Sequence, residues 1–535
     1  MPDDTFDVIV VGAGTSGSIL ASRIAENGLN PGTGDRLKVA LFEGGPYYLK
    51  GGPLRPGVGD PTRRRLITNI RSDETEPPHW FYDGFNVKAV GGCSLHWGSN
   101  ASIPIPKDFA NWERETGSGW TEETFKDAID EAVRMYHVNH TPLTIPPESR
   151  KPRMSKGGQM FADAARGMGL KVNEPEDPRE KAPRGLGRVN CINCGYCGRG
   201  HYCKYDSKVG GLYYLKMIGE ENGLEVIPDC EVDHVILEKT GSSYVAKGIA
   251  YTQKGVKKQA RAARVIVSCG TNGSPLLLYR SGYGPKDFLG ANLLVENNNV
   301  GRHLDGDLSG GALDILLRFA EDIHEGAELG GRGGGSGSNL LVHEQGDRNK
   351  LTLSGVSPVA LQNQYPDLLA LYPVAPDFGM EHKEYMRRAV KRLGVIGFTL
   401  RAFIWDKGRI GMRGEHLYRR DDPDVLNQFL DNWHVAQDIV KKLNPQPVKV
   451  DDKPPRSFAI LHEVGTCRAG ISKENSVVTP DFDSHDIGNL MICSAAAVPS
   501  GCFTNSHMPT VSVSSHAWRR IVANHFTRGA APLKI

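Results

Sequence analysis

Residues Phe6 to Gly28, FDVIVVGAGTSGSILASRIAENG, leave this chain little freedom in how it can fold. An apolar run from Val8 to Val11 meets Gly12-x-Gly14-x-x-Gly17, and Ile19, Leu20 and Ile24 then recur at helical spacing. That order predicts a strand, a tight turn and a helix. Each glycine has a physical reason. One turns the chain, one lets backbone N–H groups approach a pyrophosphate, and one brings helix onto strand, with the helix N-terminus facing the phosphates. A lone G-x-G-x-x-G is weak, but the strand before it and the helix after it give this one its context. The next predicted strand, Leu37 to Phe42, ends at Glu43, the acidic residue expected on a ribose hydroxyl. It arrives later than the ~20 residues usual for that acid, and the loop Gly28 to Arg36 (GLNPGTGDR) accounts for the delay. The alternative is a parallel-sheet turn without a ligand; strand, glycines and acid together weigh against it.

At 535 residues the chain is long enough for two or three domains. Hydrophobic content of 39% and charged content of 24% are those of a globular protein, and a net charge of +2 favours neither nucleic acid nor a membrane surface as main partner. No apolar run approaches the ~18 residues of a membrane span. Met1 to Thr5 lead directly into the first strand with no room for a signal peptide, so the expectation is a cytoplasmic location, with periplasmic export alongside a partner as the alternative.

The 10 cysteines are unevenly spread. Cys93, Cys230, Cys269, Cys467, Cys493 and Cys502 are isolated and mostly sit in apolar strands, where a thiol serves as a small buried hydrophobe. Cys191, Cys194, Cys197 and Cys203 fall together as C-I-N-C-G-Y-C-G-R-G-H-Y-C. Three thiolates at C-x-x-C-x-x-C can surround one face of an iron-sulfur cubane, the glycines letting the backbone curl, with Cys203 as fourth ligand. A closed zinc site of four thiolates and reduced or disulfide-linked structural cysteines are the rivals; the dense spacing favours the cluster. Between these motifs, Val87 to Pro104 (VKAVGGCSLHWGSNASIP) pairs Gly91 and Gly92, which permit close backbone approach, with Ser94, His96 and Trp97. Beside a dinucleotide fold this is a second cofactor contact.

Several stretches resemble one family. Gly270-Thr-Asn-Gly-Ser274-Pro275-Leu-Leu-Leu-Tyr-Arg-Ser281-Gly282-Tyr283-Gly284 is similar to the second signature of the glucose-methanol-choline (GMC) oxidoreductases, departing at Tyr283, where an aliphatic residue is usual. Asn297 to Leu308 (NNNVGRHLDGDL) resembles the flavin-contacting stretch that follows it, and His462-Glu-Val-Gly465-Thr466-Cys467-Arg468, NLMICSAAAVPS and NSHMPT are similar to the C-terminal block. The matches run in family order from residue 6 to about 515 and leave only about 305 to 455 unmatched. The first signature departs from the family: Gly91-Gly92-Cys93-Ser94-Leu95 is followed by His96-Trp97, a pair that resembles pyranose oxidases and the flavin subunits of gluconate, fructose and glucoside dehydrogenases.

The resemblance implies FAD as cofactor, held by Gly12, Gly14, Gly17, Glu43, Gly91, Gly92, Ser94, His96 and Trp97. His96 either bonds covalently to the flavin or packs against it. It implies oxidation of an alcohol, for which a basic group must take the hydroxyl proton as hydride leaves for flavin N5. His462 matches the family's base, and His507, or Asn505 two residues earlier, matches its partner; among 17 histidines neither stands out otherwise. The same resemblance implies electron exit through the iron-sulfur cluster to an external acceptor, with a small subunit or cytochrome as possible partners and a sugar or glycoside as the small-molecule alcohol substrate. The rival enzyme is an oxidase that returns electrons to oxygen as peroxide. The rival of another class is a nucleotide-binding protein with a structural zinc.

The expected architecture is α/β in two domains. A Rossmann-like FAD-binding domain takes 1–110, 204–305 and 456–535, and a sheet-plus-helices substrate domain takes 111–203 and 306–455, including the cysteine segment 191–203. The strand-like runs between Gly223 and Gly270, with turns at Gly241 and Gly255, should return to the first domain. In the second, helices are predicted over Glu381 to Leu393 and Asp422 to Leu443, with a strand over Leu393 to Trp405. Gly330 to Ser338 (GGRGGGSGS) reads as a flexible linker with the composition of a designed bridge.

Overall fold

The apolar run at the start is strand β1 (Asp4–Val11) in the computed structural model, which describes residues 4–47, 87–95, 103–136, 160, 163–170, 172–173, 210–310, 313–322, 340–345, 349–357, 379–402, 408–417, 423–444, 458–502 and 506–528. Val8, Ile9 and Val10 are all fully buried. Successive strand residues point to opposite faces, so both faces of the sheet are covered here. The glycine turn then delivers helix α1 (Thr15–Asn27), whose Ile19, Leu20 and Ile24 are buried as their spacing predicts. Strand β2 (Val39–Phe42) follows, two residues shorter than the expected run.

Next come helices α2 (Pro106–Thr116) and α3 (Glu122–Met135), then strands β3 (Glu225–Ile227), β4 (Cys230–Thr240), β5 (Ser243–Gln253) and β6 (Val256–Val267). The principal sheet has β3, β2, β1 and β6 side by side in parallel. On its other edge β6 pairs in parallel with Leu490–Ile492 near its end, and antiparallel with β5 near its start. Strands β4, β5 and β6 form an antiparallel meander whose tight turns use Gly241 and Gly255 at positive φ. The strands after Gly223 therefore return to the nucleotide-binding sheet, as expected.

Helix α4 (Gly270–Arg280) leads to β7 (Arg302–Gly310) and to a second, antiparallel sheet. Its strands are β8 (Leu313–Arg318), β9 (Leu340–Gln345), β10 (Asn349–Ser357) and β11 (Leu393–Ala402), ordered β8-β11-β10-β9 with Val172–Asn173 at the edge. Helices α5 (Gly379–Val390) and α6 (Pro423–Leu443) pack on this sheet, close to their expected bounds. Strand β12 (Phe458–Val464) then pairs with β7, and helix α7 (His507–His525) returns to lie along α1. The architecture is α/β with a parallel nucleotide-binding sheet and a sheet-plus-helices layer, the class expected. No helix among the described residues is long and apolar enough to cross a membrane.

One buried ionic cluster ties α1, α3 and α7 together. Arg23 on α1 is fully buried; its Nε donates to Glu131 Oε1 at 2.6 Å and its Nη1 to Glu26 Oε2 at 2.6 Å. The other oxygen of Glu131 on α3 accepts from Trp518 Nε1 at 3.1 Å and from Arg519, both on α7. Small buried residues, among them Ser18 and Ser22 on α1 and Ser512 and Ser515 on α7, line the two helices. Gly28–Leu29 pairs with Thr527–Arg528 just past their C-terminal ends, so α1 and α7 run parallel and begin at the same end of the molecule. At about 1.5 Å per residue, α7 reaches roughly 5–10 Å further than α1 at that end.

Helices α2 and α3 belong to this same core. Phe109 packs edge to face on Trp112 and Phe125, Trp112 does so on Trp120, Trp120 lies tilted against Phe125, and His516 of α7 stacks on Phe125 with ring centroids 4.2 Å apart. Residues 111–136, which the sequence partition gives to the substrate side, thus share the hydrophobic core of the parallel sheet. Burial holds His516 neutral, its pKa lowered to about 4; burial likewise lowers His416 to about 4 and His303 to about 3. Each imidazole takes up a proton near pH 6.5 once unfolded, so stability is fully present above that pH and falls as pH drops toward 4. Each contributes up to about 1.4 kcal/mol per pH unit to the slope. Urea midpoints measured from pH 7 to 5 should fall, and His516→Phe should flatten the curve; an unchanged slope in that variant would count against a neutral buried His516.

Candidate functional site

The predicted glycines meet at one point. Gly12 has φ +97° and lies so close to the residue that follows β6 that a Cβ would stand 2.7 Å from the Ser268 carbonyl oxygen. A Cβ on Gly17 would stand 1.8 Å from the Gly12 oxygen, which is how helix packs on strand. Gly14, the N-cap of α1, differs: a Cβ there would meet nothing within 4 Å, although the residue is wrapped by chain on other sides. The Gly91-Gly92 turn docks directly on it. Gly91 N–H donates to Ala13 O at 2.7 Å, and Gly92, at φ +51°, brings its Cα so near that a Cβ would be 2.7 Å from Gly14 Cα. No side chain caps α1 and no acidic residue occupies its first turn, so its N-terminal N–H groups and dipole face a space bordered by two glycine turns and left open among the described residues. A pyrophosphate fits this place in charge and in clearance.

Glu43 sits at the rim of the cradle. Its Oε2 accepts Ala13 N–H at 2.9 Å and its Oε1 accepts Gly45 N–H at 2.9 Å, while burial pushes its pKa upward. The carboxylate is thereby anchored to the turn it serves. Ser94 is engaged within the protein: its hydroxyl donates to Gly91 O at 2.6 Å and accepts Gly211 N–H at 2.9 Å, clasping the second glycine turn to the chain that follows. His96, Trp97, Asn505, the four cysteines Cys191, Cys194, Cys197 and Cys203, and the Gly330–Ser338 stretch lie outside the described residues.

His462 enters from strand β12. In its antiparallel pairing with β7, Asp305 faces Val464 while Asp307 faces Leu461, so β12 carries an extra residue and bulges at His462 and Glu463. His462 has φ +58°, a left-handed backbone uncommon outside glycine. A bulge of this kind re-aims a side chain, and such bulges gather next to active sites. The bulge is tied to the cradle: Thr271 Oγ1, at the start of α4, donates to Glu463 O at 2.8 Å. The thiol of Cys93 in the glycine loop is pushed up to about 11 by burial, and the charge of Glu463 adds to that rise. Cys269 and Cys467 are likewise pushed up to about 12 by burial, which keeps them protonated small hydrophobes as expected.

His507 is the first residue of α7, and its ring packs edge-on against Tyr136 with centroids 5.5 Å apart. The parallel course of α1 and α7, with the greater length of α7, sets it at the same end of the molecule as the N-terminus of α1. Two histidines that the sequence did not single out lie near by. His416 Nε2 is 2.9 Å from Asn272 Oδ1, and its Nδ1 is 3.8 Å from Glu463 Oε1. His303, at φ +60°, bonds Asn299 Oδ1 through Nε2 at 2.9 Å. Burial keeps both neutral, so neither adds charge to the site. No group of three or more metal-ligating side chains occurs among the described residues.

Family models described as GMC oxidoreductase match residues 6–297 and 415–514. An alcohol dehydrogenase (acceptor) of Pseudomonas putida is 22% identical over 97% of this chain and 96% of its own length. The choline oxidase of Arthrobacter globiformis is 26% identical over 57% of this chain and 55% of its own. Among solved structures, a formate oxidase aligns with a TM-score of 0.65 at 17% identity, covering 98% of this chain and 99% of that one. The pyridoxine 4-oxidase of Mesorbium loti aligns at 0.62 and 16%, covering 97% and 99%.

The open space at Gly14 yields a sharp expectation. Gly14 has φ −72° and ψ −162°, which alanine adopts without strain, so Gly14→Ala should fold with an unchanged melting temperature. Its methyl group would stand where phosphate must approach, and FAD content per chain, read from flavin absorbance after desalting, should fall at least tenfold. Full flavin content in that variant would place the phosphates elsewhere.

Proposed function

The chain belongs to the GMC oxidoreductase family, and from that premise we propose that it oxidises a hydroxyl group of a sugar or glycoside, with His462 as the base and His507 as its partner. At the level of the family it is an FAD-dependent oxidoreductase acting on alcohols. FAD, when bound, supplies the acceptor for the hydride leaving the carbinol carbon. Gly12, Gly14, Gly17, Gly91 and Gly92 would hold its pyrophosphate and Glu43 its ribose.

The observation that carries the assignment is the bulge that puts His462 in a left-handed backbone at the edge of the cradle. Strain of that kind persists only where surrounding structure over-determines it. Here the β7 pairing and the Thr271 hydrogen bond do so. In the reaction an imidazole nitrogen of His462 takes the hydroxyl proton as the C–H bond breaks. His507 holds the same oxygen by a hydrogen bond, with Asn505 as the alternative donor. His507 opens α7, whose N-terminal dipole favours the negative charge that develops on the oxygen.

In this reading Cys191, Cys194, Cys197 and Cys203 would hold an iron-sulfur cluster, which would supply one-electron transfer to an external acceptor such as a cytochrome subunit. The C-x-x-C-x-x-C spacing supports that assignment, and the His96-Trp97 pair supports the sugar. The second reading is an oxidase that reduces oxygen to peroxide; it is favoured by the likeness to choline oxidase.

Two measurements test these assignments. With D-glucose, methyl β-D-glucopyranoside, choline and 1-octanol as donors and dichlorophenolindophenol as acceptor, the best donor should be a sugar, and His462→Gln should lower kcat by about 10²–10⁴ at full flavin content. Near-normal turnover in that variant would remove His462 as base. Protein purified without air should contain iron in the amount of a three- or four-iron cluster, with absorption extending beyond the flavin bands. Zinc or no metal, together with peroxide formation, would establish the oxidase reading instead.

A further inference from the structure

Asp305 is a buried carboxylate that the chemistry above does not use. It lies on β7, 2% exposed, at the register position where the bulge of β12 begins. Its two oxygens reach in different directions. Oδ1 accepts the N–H of Gly306 at 2.8 Å, and Gly306 is the residue between the two register positions that flank the bulge. Oδ2 accepts the N–H of Gly501 at 2.7 Å, across 196 residues of sequence. Gly501 belongs to the segment that runs into Asn505 and His507. The residue before it is held from the far side, where Trp112 Nε1 donates to Ser500 O at 3.2 Å.

One side chain therefore spans the two halves of the proposed catalytic pair. Through Oδ1 it holds the backbone that faces the bulge of His462, and through Oδ2 it holds Gly501, which precedes His507 in sequence. Charge-assisted N–H···O⁻ bonds are shorter and about twice as strong as neutral ones, and a carboxylate offers two separate acceptor oxygens where an amide of the same size offers one. An asparagine has a single acceptor oxygen and would turn an N–H₂ toward one of the two backbone donors. We propose that Asp305 is a positioning residue that sets the separation between His462 and His507 in the GMC-type oxidation.

This inference rests on the assignment of His462 and His507. Their spacing matters because proton removal from the alcohol needs both to address one oxygen at hydrogen-bond distance, and a misplacement of about 1 Å can cost about 100-fold. Asp305→Asn should therefore lower kcat about 10- to 100-fold with a much smaller change in KM, at full flavin content.

The test uses the flavin-loaded full chain, the best donor of the panel above and dichlorophenolindophenol. Four proteins are compared: unaltered, Asp305→Asn, His507→Ala, and the double variant. Flavin content and melting temperature are measured for each. Positioning through His507 predicts that Asp305→Asn costs little further activity once His507 is gone, a coupling that a purely structural residue would not show. Additive losses would overturn the proposal, as would unchanged kcat in folded, flavin-loaded Asp305→Asn. Asp305→Ser serves as second variant should the first not fold; failure of both to fold would make Asp305 a residue of global stability and overturn the positioning role. If His507→Ala and His462→Gln themselves keep full turnover, the catalytic assignment fails, and that result is distinct from an Asp305 failure.

Discussion

Everything that faces the cradle depends on one buried carboxylate, Glu131, and the three groups it accepts. Arg23, Trp518 and Arg519 bring α1 and α7 to it from two sides, in a core that excludes water. Such a cluster is a poor source of net stability, because desolvating the charges offsets most of their attraction. Breaking it is another matter: loss of one partner leaves a buried charge uncompensated, at about 3–5 kcal/mol. Its value lies in geometry. It fixes the parallel course of α1 and α7, and with it the fact that both helices begin at the same end of the molecule. Burial works to lower the Arg23 pKa, and the charges of Glu131 and Glu26 outweigh it; the guanidinium stays charged and the clamp stays closed.

With the helices set, the glycines do the rest by omission. Gly12, Gly17 and Gly92 are each pressed against backbone that a methyl group would enter, so the two turns interlock around the first turn of α1. Of the glycines in these turns Gly14 alone is open among the described residues, and it caps the helix end whose N–H groups no side chain satisfies. Ser94 extends the interlock to Gly211, whose own Cβ position is crowded by Ser18 and by the Gly14 oxygen. The anion site is thus a space bounded by backbone, and side chains contribute chiefly by holding that backbone still.

The legible part of this structure is the part written in local sequence. The run Val8 to Val11, the three glycines and the helical spacing after them name their elements because strand, turn and helix each follow from a few neighbouring residues. The same holds for the meander after Gly223 and for α5 and α6. What is not legible is what depends on distant partners. The packing of Trp120 on Phe482 and of Phe125 on His516 gives residues 111–136 to the core of the parallel sheet, and nothing in their own amphipathic pattern says which sheet they will cover. Ser94 looks like a cofactor contact in a Gly-Gly-x-Ser turn, yet its hydroxyl is committed to Gly91 and Gly211.

The bulge at His462 shows the same limit at the site itself. A histidine after Ile-Leu in an apolar strand reads as an ordinary strand residue, with its side chain on the face that alternation assigns. The structure gives it φ +58° and one residue more than its partner strand can pair. The cause lies in β7, where the Asp305 carboxylate accepts the N–H of Gly306 and so satisfies a backbone donor at the irregular register. His303, two residues before Asp305, has the same left-handed backbone at φ +60°, and Gly465 sits so close to its carbonyl that a Cβ would be 2.3 Å away. Two irregular strands thus accommodate each other. The departure from regular pairing costs backbone energy on both, and what it provides is a histidine taken out of the regular alternation of the ladder.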